Sequence, residues 1–172
     1  MTLLLRQSAI FLIYLLLQVL IFNNFVLFDL ATPHVFVLFL VMIPLNVRFP
    51  LAITTAFLAG LLLDLCSVDL FRGVHAFSAV LVVALREFWV NAITNRVTYR
   101  GSEEYLLQVQ PAPWYFQYLF PLILVYELTY HLLEAFSTAH LGQTMLKIGL
   151  SSLYTFAICI IFTFLFHRSS KR

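Results

Sequence analysis

Charge is what this chain has least of. Ten basic and eight acidic side chains are spread over 172 residues, 10% of the total, against ~25% in an ordinary soluble domain. The formal net charge of +2 is too weak a field to grip a nucleic-acid backbone. Cysteine is nearly missing: Cys66 and Cys159 are too few for a disulfide framework and read as free thiols. Glycine is scarce, with five residues, and neither a phosphate loop nor a dinucleotide fingerprint occurs. No nucleophile and base stand at a supporting spacing, and Glu103-Glu104 has no arginine or histidine at a telling offset. Internal repeats are absent too, which weighs against a transporter built from inverted halves. These absences exclude a cytosolic enzyme, a disordered chain and a nucleic-acid binder, and nothing in the sequence recommends catalysis.

What is present is apolar surface. Hydrophobic residues make up 62% of the chain and aromatics 16%, with 18 phenylalanines. A soluble domain of this size has no interior large enough to hide them. The runs are continuously apolar, not alternating, which weighs against a membrane β-barrel. The composition predicts an all-α membrane protein, a single polytopic domain over 1–172. A spanning helix needs ~17–25 mainly apolar residues. The runs place six spans at about 8–22, 34–46, 50–64, 74–93, 114–136 and 146–166. The first is followed by Asn23 and Asn24 instead of a small-residue cleavage site, so it is expected to stay as an anchor.

Lysine and arginine placement orients the spans. With a cytoplasmic N-terminus, the inside carries Arg6, Arg48, Arg86, Arg96, Arg100, Arg168, Lys171 and Arg172, and the outside only Arg72 and Lys147. Both termini are therefore expected in the cytoplasm. The polar stretch from about Thr94 to Ala112 is the longest loop, and it ends in Pro111-Ala112-Pro113 and an interfacial Trp114-Tyr115.

Four clusters of residues are candidates for a role. In the third span Ala52, Ala56, Gly60 and Asp64 recur every fourth residue, a slowly turning face of small side chains that lets helices approach closely in lipid. It reads as a packing seam, or as a seam that sets Asp64 beside a partner helix at the outer end. The loop that follows holds Asp69 and Arg72, which can pair, and Gly73, which can supply a backbone angle closed to other residues. That loop is either a self-satisfied hairpin or a contact for a ligand or partner. In the fifth span Glu127, His131 and Glu134 share one helical face, with Tyr126 and Tyr130 beside them. A charge within a span is unfavourable by ~2.5–3.5 kcal/mol on insertion scales, so this face is expected to turn inward and pair, or to lose its charge through a shifted pKa. A hydrogen-bonded network is the first reading and a metal site the alternative. His75 lies toward the same outer end. In the sixth span Lys147, Ser151, Thr155, Cys159 and Thr163 recur every fourth residue, which reads as helix packing.

The run Gly60-Leu61-Leu62-Leu63-Asp64-Leu65, then Gly73-Val74-His75-Ala76 and Leu85-Arg86, resembles the central signature of the bacterial rod shape-determining MreD family. Thr32-Pro33, the Phe39 to Pro44 region and Tyr130-His131-Leu132-Leu133-Glu134-Ala135-Phe136 are similar to the Bacteroidetes-type branch of that family. Glu87 departs from it, since a proline is expected after Arg86. The resemblance implies a non-catalytic scaffold of the cell-wall elongation machinery in the bacterial inner membrane, with no cofactor. It implies a direct partner, MreC, and indirect ones: MreB, RodA and a class B penicillin-binding transpeptidase. It also implies a fold similar to the substrate-binding S subunits of energy-coupling-factor transporters. The alternative is such a subunit in its own right, binding a small vitamin-type molecule.

Overall fold

A computed structural model describes residues 2–27, 31–45, 47–67, 73–93, 112–135 and 141–169. Among the described residues six α-helices follow one another: α1 (Thr2–Leu20), α2 (Phe36–Met42), α3 (Phe49–Cys66), α4 (Val74–Ile93), α5 (Ala112–Ala135) and α6 (Leu141–Ser169). A 3₁₀ turn, Phe22–Asn24, closes the end of α1. Among the described residues there is no strand, only an isolated bridge between Leu27 and Ala31. Among the described residues, three helices contain stretches long and apolar enough to cross a membrane: Phe49–Cys66, Val74–Ile93 and Gly142–Thr163. Their outward faces carry large apolar side chains, among them Phe57, Leu58, Leu62, Phe77, Phe88, Leu153 and Ile161.

Neighbours in sequence are neighbours in space. Helix α3 packs chiefly on α4, α4 on α5, and α5 on α6. The α3–α4 approach is close. A Cβ placed on Gly60 would sit 2.5 Å from the Ala76 Cα and 2.8 Å from the Ala76 nitrogen, so glycine alone lets the two backbones meet. Gly73, just before α4, has φ +98°, a conformation that strains any side chain.

The second expected span takes a different form. The sequence pattern predicts a helix over 34–46, but only Phe36–Met42 is helical, seven residues or ~10 Å. Pro33 and Pro44 bracket it and limit helix on both sides. Phe36 to Val41 are all buried, so α2 is covered on every side by its neighbours, chiefly α1, α4 and α5.

A buried helix of two turns leaves its terminal N–H and C=O groups without water, and each must find a partner. Gln18 on α1 serves the N-terminal end. Its Oε1 accepts from the Phe36 N–H at 3.1 Å and its Nε2 donates to the Pro33 carbonyl at 2.9 Å. Arg86 on α4 serves the other end, where its guanidinium donates to the carbonyls of Leu40, at 3.1 Å, and Ile43. The Tyr118 hydroxyl of α5 reaches the Val41 carbonyl at 3.4 Å.

A second backbone defect has a similar remedy. Pro121 lies inside α5 and has no N–H to offer the carbonyl of Gln117, one turn earlier. The Trp89 indole N–H of α4 donates to that carbonyl at 3.0 Å. Beside it an open, mainly apolar groove of about 580 Å³ runs between Trp89, Phe116, Phe120, Pro121 and Phe156.

Candidate functional site

Buried His34, His75, Glu127, His131, Ser151 and Thr155 gather where the segment before α2 meets α4, α5 and α6. Glu127 is at the centre, with no exposure to solvent. Its position on α5 is dictated by the i, i+4, i+7 face it shares with His131 and Glu134. His34 Nδ1 lies 3.0 Å from both carboxylate oxygens. The Thr155 hydroxyl of α6 donates to Oε1 at 2.8 Å, and the same hydroxyl oxygen accepts the His34 backbone N–H at 3.0 Å. One carboxylate thus fastens the chain before α2 to α5 and α6.

His131 continues the network. Its Nε2 is 3.5 Å from Glu127 Oε2 and 3.3 Å from Ser151 Oγ, and its Nδ1 is 3.2 Å from Glu134 Oε2. Glu134 is the outlying member, 48% exposed. On the opposite side His34 faces a wall of rings. Its centroid is 4.5 Å from Tyr130 and 5.5 Å from both Tyr126 and His75. His75 stacks on Tyr130 at 4.6 Å, and its Nδ1 shares a 2.7 Å hydrogen bond with the Tyr126 hydroxyl.

Asp64 belongs to the helix junction next door. Its Oδ1 accepts from the His75 N–H at 3.1 Å and its Oδ2 from the Ala76 N–H at 3.0 Å. These are opening amides of α4, so a carboxylate on α3 caps α4 and matches the positive end of its dipole. The neighbour that the seam offers to Asp64 is thus α4 of the same chain. Ala52, Ala56 and Gly60 are buried with it.

The sequence-derived candidates therefore divide. Glu127, His131 and Glu134 meet in one network, and His75 borders it through Tyr126 and Tyr130. Ala52, Ala56, Gly60 and Asp64 form the buried face of α3. Gly73 adopts the left-handed backbone angle, and Arg86 sits at the end of α2 on the Leu40 and Ile43 carbonyls. Asp69 and Arg72 lie outside the described residues. Sequence reasoning did not single out His34, Gln18 or Trp89, and it took Thr155 for a packing residue. The available signal was Pro33-His34 ahead of an apolar run too short to span.

Chemically the arrangement can exchange protons and hold helices together. Among the described residues no group of three His, Cys, Asp or Glu side chains is arranged to hold a metal ion. Compared with family models, curated proteins and solved structures, the chain matches none.

Proposed function

We propose that the chain is a non-catalytic scaffold of the MreD type, a multi-pass protein of the bacterial inner membrane that binds MreC. Through MreC it helps position MreB, RodA and the class B transpeptidase for lateral wall synthesis. In this reading the chain crosses the bilayer six times, with both termini cytoplasmic and a fold similar to transporter S subunits. The short α2 then fills the place of the second span inside protein, where irregular backbone at membrane depth is tolerated.

One observation supports the reading above others. The residues that carry the resemblance are joints between helices: Gly60 against the α4 backbone, Asp64 on the α4 amides, Arg86 on the α2 carbonyls. Ionisable side chains spent on internal fit suit a rigid platform that offers its apolar outer faces to partner helices. Co-expression with an affinity-tagged MreC from the same genome tests it. A stable one-to-one or higher complex in detergent is expected, and recovery of MreC alone sinks the reading.

A substrate-binding transporter subunit is the second reading. It is favoured by the broken segment before α2 and by the His34, His75, Tyr126 and Tyr130 rings lining it, since interrupted helices at mid-bundle are where transporters bind substrates. Native mass spectrometry decides here: a co-purifying metabolite is expected on this reading and none on the first.

A further inference from the structure

We propose that the outward face of the α3–α4 pair binds a second copy of this chain, with Glu87 of each copy meeting Arg48 of the other. Glu87 carries the inference. It is an exposed carboxylate on a helix long and apolar enough to cross a membrane, next to Phe88, which is 72% exposed. An ionisable side chain in such a segment ordinarily pairs. Among the described residues the Glu87 side chain makes no hydrogen bond or ion pair. The same is true of the Arg48 side chain, exposed just before the first turn of α3. The two stand at one depth. Gly60 meets Ala76 where the antiparallel α3 and α4 touch. Counted back from Gly60 along α3 and forward from Ala76 along α4, Phe49 comes level with Glu87. The bond from Arg86 to the Ile43 carbonyl, just ahead of α3, sets the same level. An acid and a base therefore lie side by side at one end of the pair, yet they do not pair within the chain.

Equal depth makes the face self-complementary. Copies inserted in the same direction are related by a two-fold axis along the membrane normal, and such an interface brings each residue of a pair to its opposite number twice. That axis sets α3 of one copy opposite α4 of the other, so both Glu87–Arg48 meetings form at the same level. The rest of the face is apolar. Phe77, Leu81, Ala84 and Phe88 share one stripe along α4. Phe77 and Phe88 are exposed, and the small Ala84 between them leaves room for a close approach. Apolar side chains alone gain little by leaving lipid, because the tails are as apolar as they are. A guanidinium and a carboxylate gain by meeting where water is scarce. The charges thus select this face over the outer faces of α1 and α6. Among the described residues neither of those carries an acid and a base at one depth. The inference stands whether or not the chain binds MreC.

The test is a charge exchange between two differently tagged copies of the full chain. Co-expressed wild-type copies are expected to co-purify in mild detergent and to give two chains per particle by native mass spectrometry. In Glu87→Arg the meeting positions are all basic, and in Arg48→Glu they are all acidic. Self-association of either variant is therefore expected to fall at least about tenfold, since like charges are brought together. A mixture of the two variants has both meetings attractive again, one of them reversed, and is expected to recover the wild-type level. A bond within one chain cannot give that recovery, because each variant carries like charges at its own two positions. Where either reversal does not insert, cysteine pairs decide. Copies with Arg48→Cys under one tag and Glu87→Cys under the other, both with Cys66→Ser, are expected to be joined by a short bismaleimide. Wild-type copies that do not co-purify, or a mixture no better than either variant alone, overturn the proposal. So do cysteine copies that stay unjoined.

Discussion

Gly60 and Gly149 have the same side chain and opposite constraints. A methyl group on Gly60 collides with the α4 backbone at 2.5 Å, whereas nothing lies within 4 Å of a Cβ on Gly149. A backbone cannot rotate away as a side chain can, so Gly60→Ala must push α3 and α4 apart. The expected loss is ~1–3 kcal/mol, the range for overpacking, read as a lower unfolding midpoint of the purified protein. Gly149→Ala is expected to be neutral or slightly stabilising, since alanine favours helix by up to ~1 kcal/mol. Equal midpoints for the two variants would contradict the close approach. Asp64→Ala strips an acceptor from two buried amides at once, with an expected loss of ~1–3 kcal/mol for each group left unpaired. Asp64→Asn keeps an acceptor and is expected to retain part of the stability.

At the scale of the element, the two interrupted helices are repaired from outside. The Pro121 repair can be isolated by a double-mutant cycle. Trp89→Phe leaves the Gln117 carbonyl without its indole donor, a loss of ~0.5–1.5 kcal/mol, the net worth of a typical hydrogen bond. Pro121→Ala supplies a backbone N–H to that carbonyl. In the Pro121→Ala background, Trp89→Phe is therefore expected to lose little, and an equal loss in both backgrounds would refute the coupling. For α2, Arg86→Leu and Gln18→Leu are each expected to speed hydrogen exchange across 36–43 more than across α3. These elements also show what the sequence could reveal. The starts of α3 and α4 follow from charge-free runs, although α3 continues past Asp64 and α4 past Arg86 and Glu87, and the Glu127, His131, Glu134 face follows from spacing within one helix. The brevity of α2 and the place of His34 do not, because their bonds join residues on different elements, from 15 to 121 positions apart. Pro33 and Pro44 mark where the helix stops but not what receives the ends. The Trp89 contact is hidden for the same reason: it pairs a side chain with a backbone atom on another helix, and no pattern along one strand of sequence encodes that.

At the scale of the whole molecule, the two cysteines report topology and packing. Cys66 is exposed at the end of α3, and Cys159 is buried within α6. If the chain crosses six times with both termini cytoplasmic, three crossings separate the N-terminus from Cys66. Membrane-impermeant maleimide is then expected to label Cys66 from the periplasmic side of intact spheroplasts. Cys159 is expected to react only after denaturation. Labelling of Cys66 only when the cytoplasmic side is opened would reverse the orientation, and ready labelling of Cys159 would dissolve the α6 packing.

The borrowed termini of α2 have a consequence for biosynthesis. The segment 31–43 is made early, yet Arg86, Glu127 and Thr155, which hold it, are made later. A nascent chain emerging from the ribosome thus carries an unfinished piece that settles only when the last helix arrives. Release of the chain before α6 is complete should leave that piece open to proteases and quality control, so the C-terminal helix acts as the checkpoint for a segment more than a hundred residues behind it.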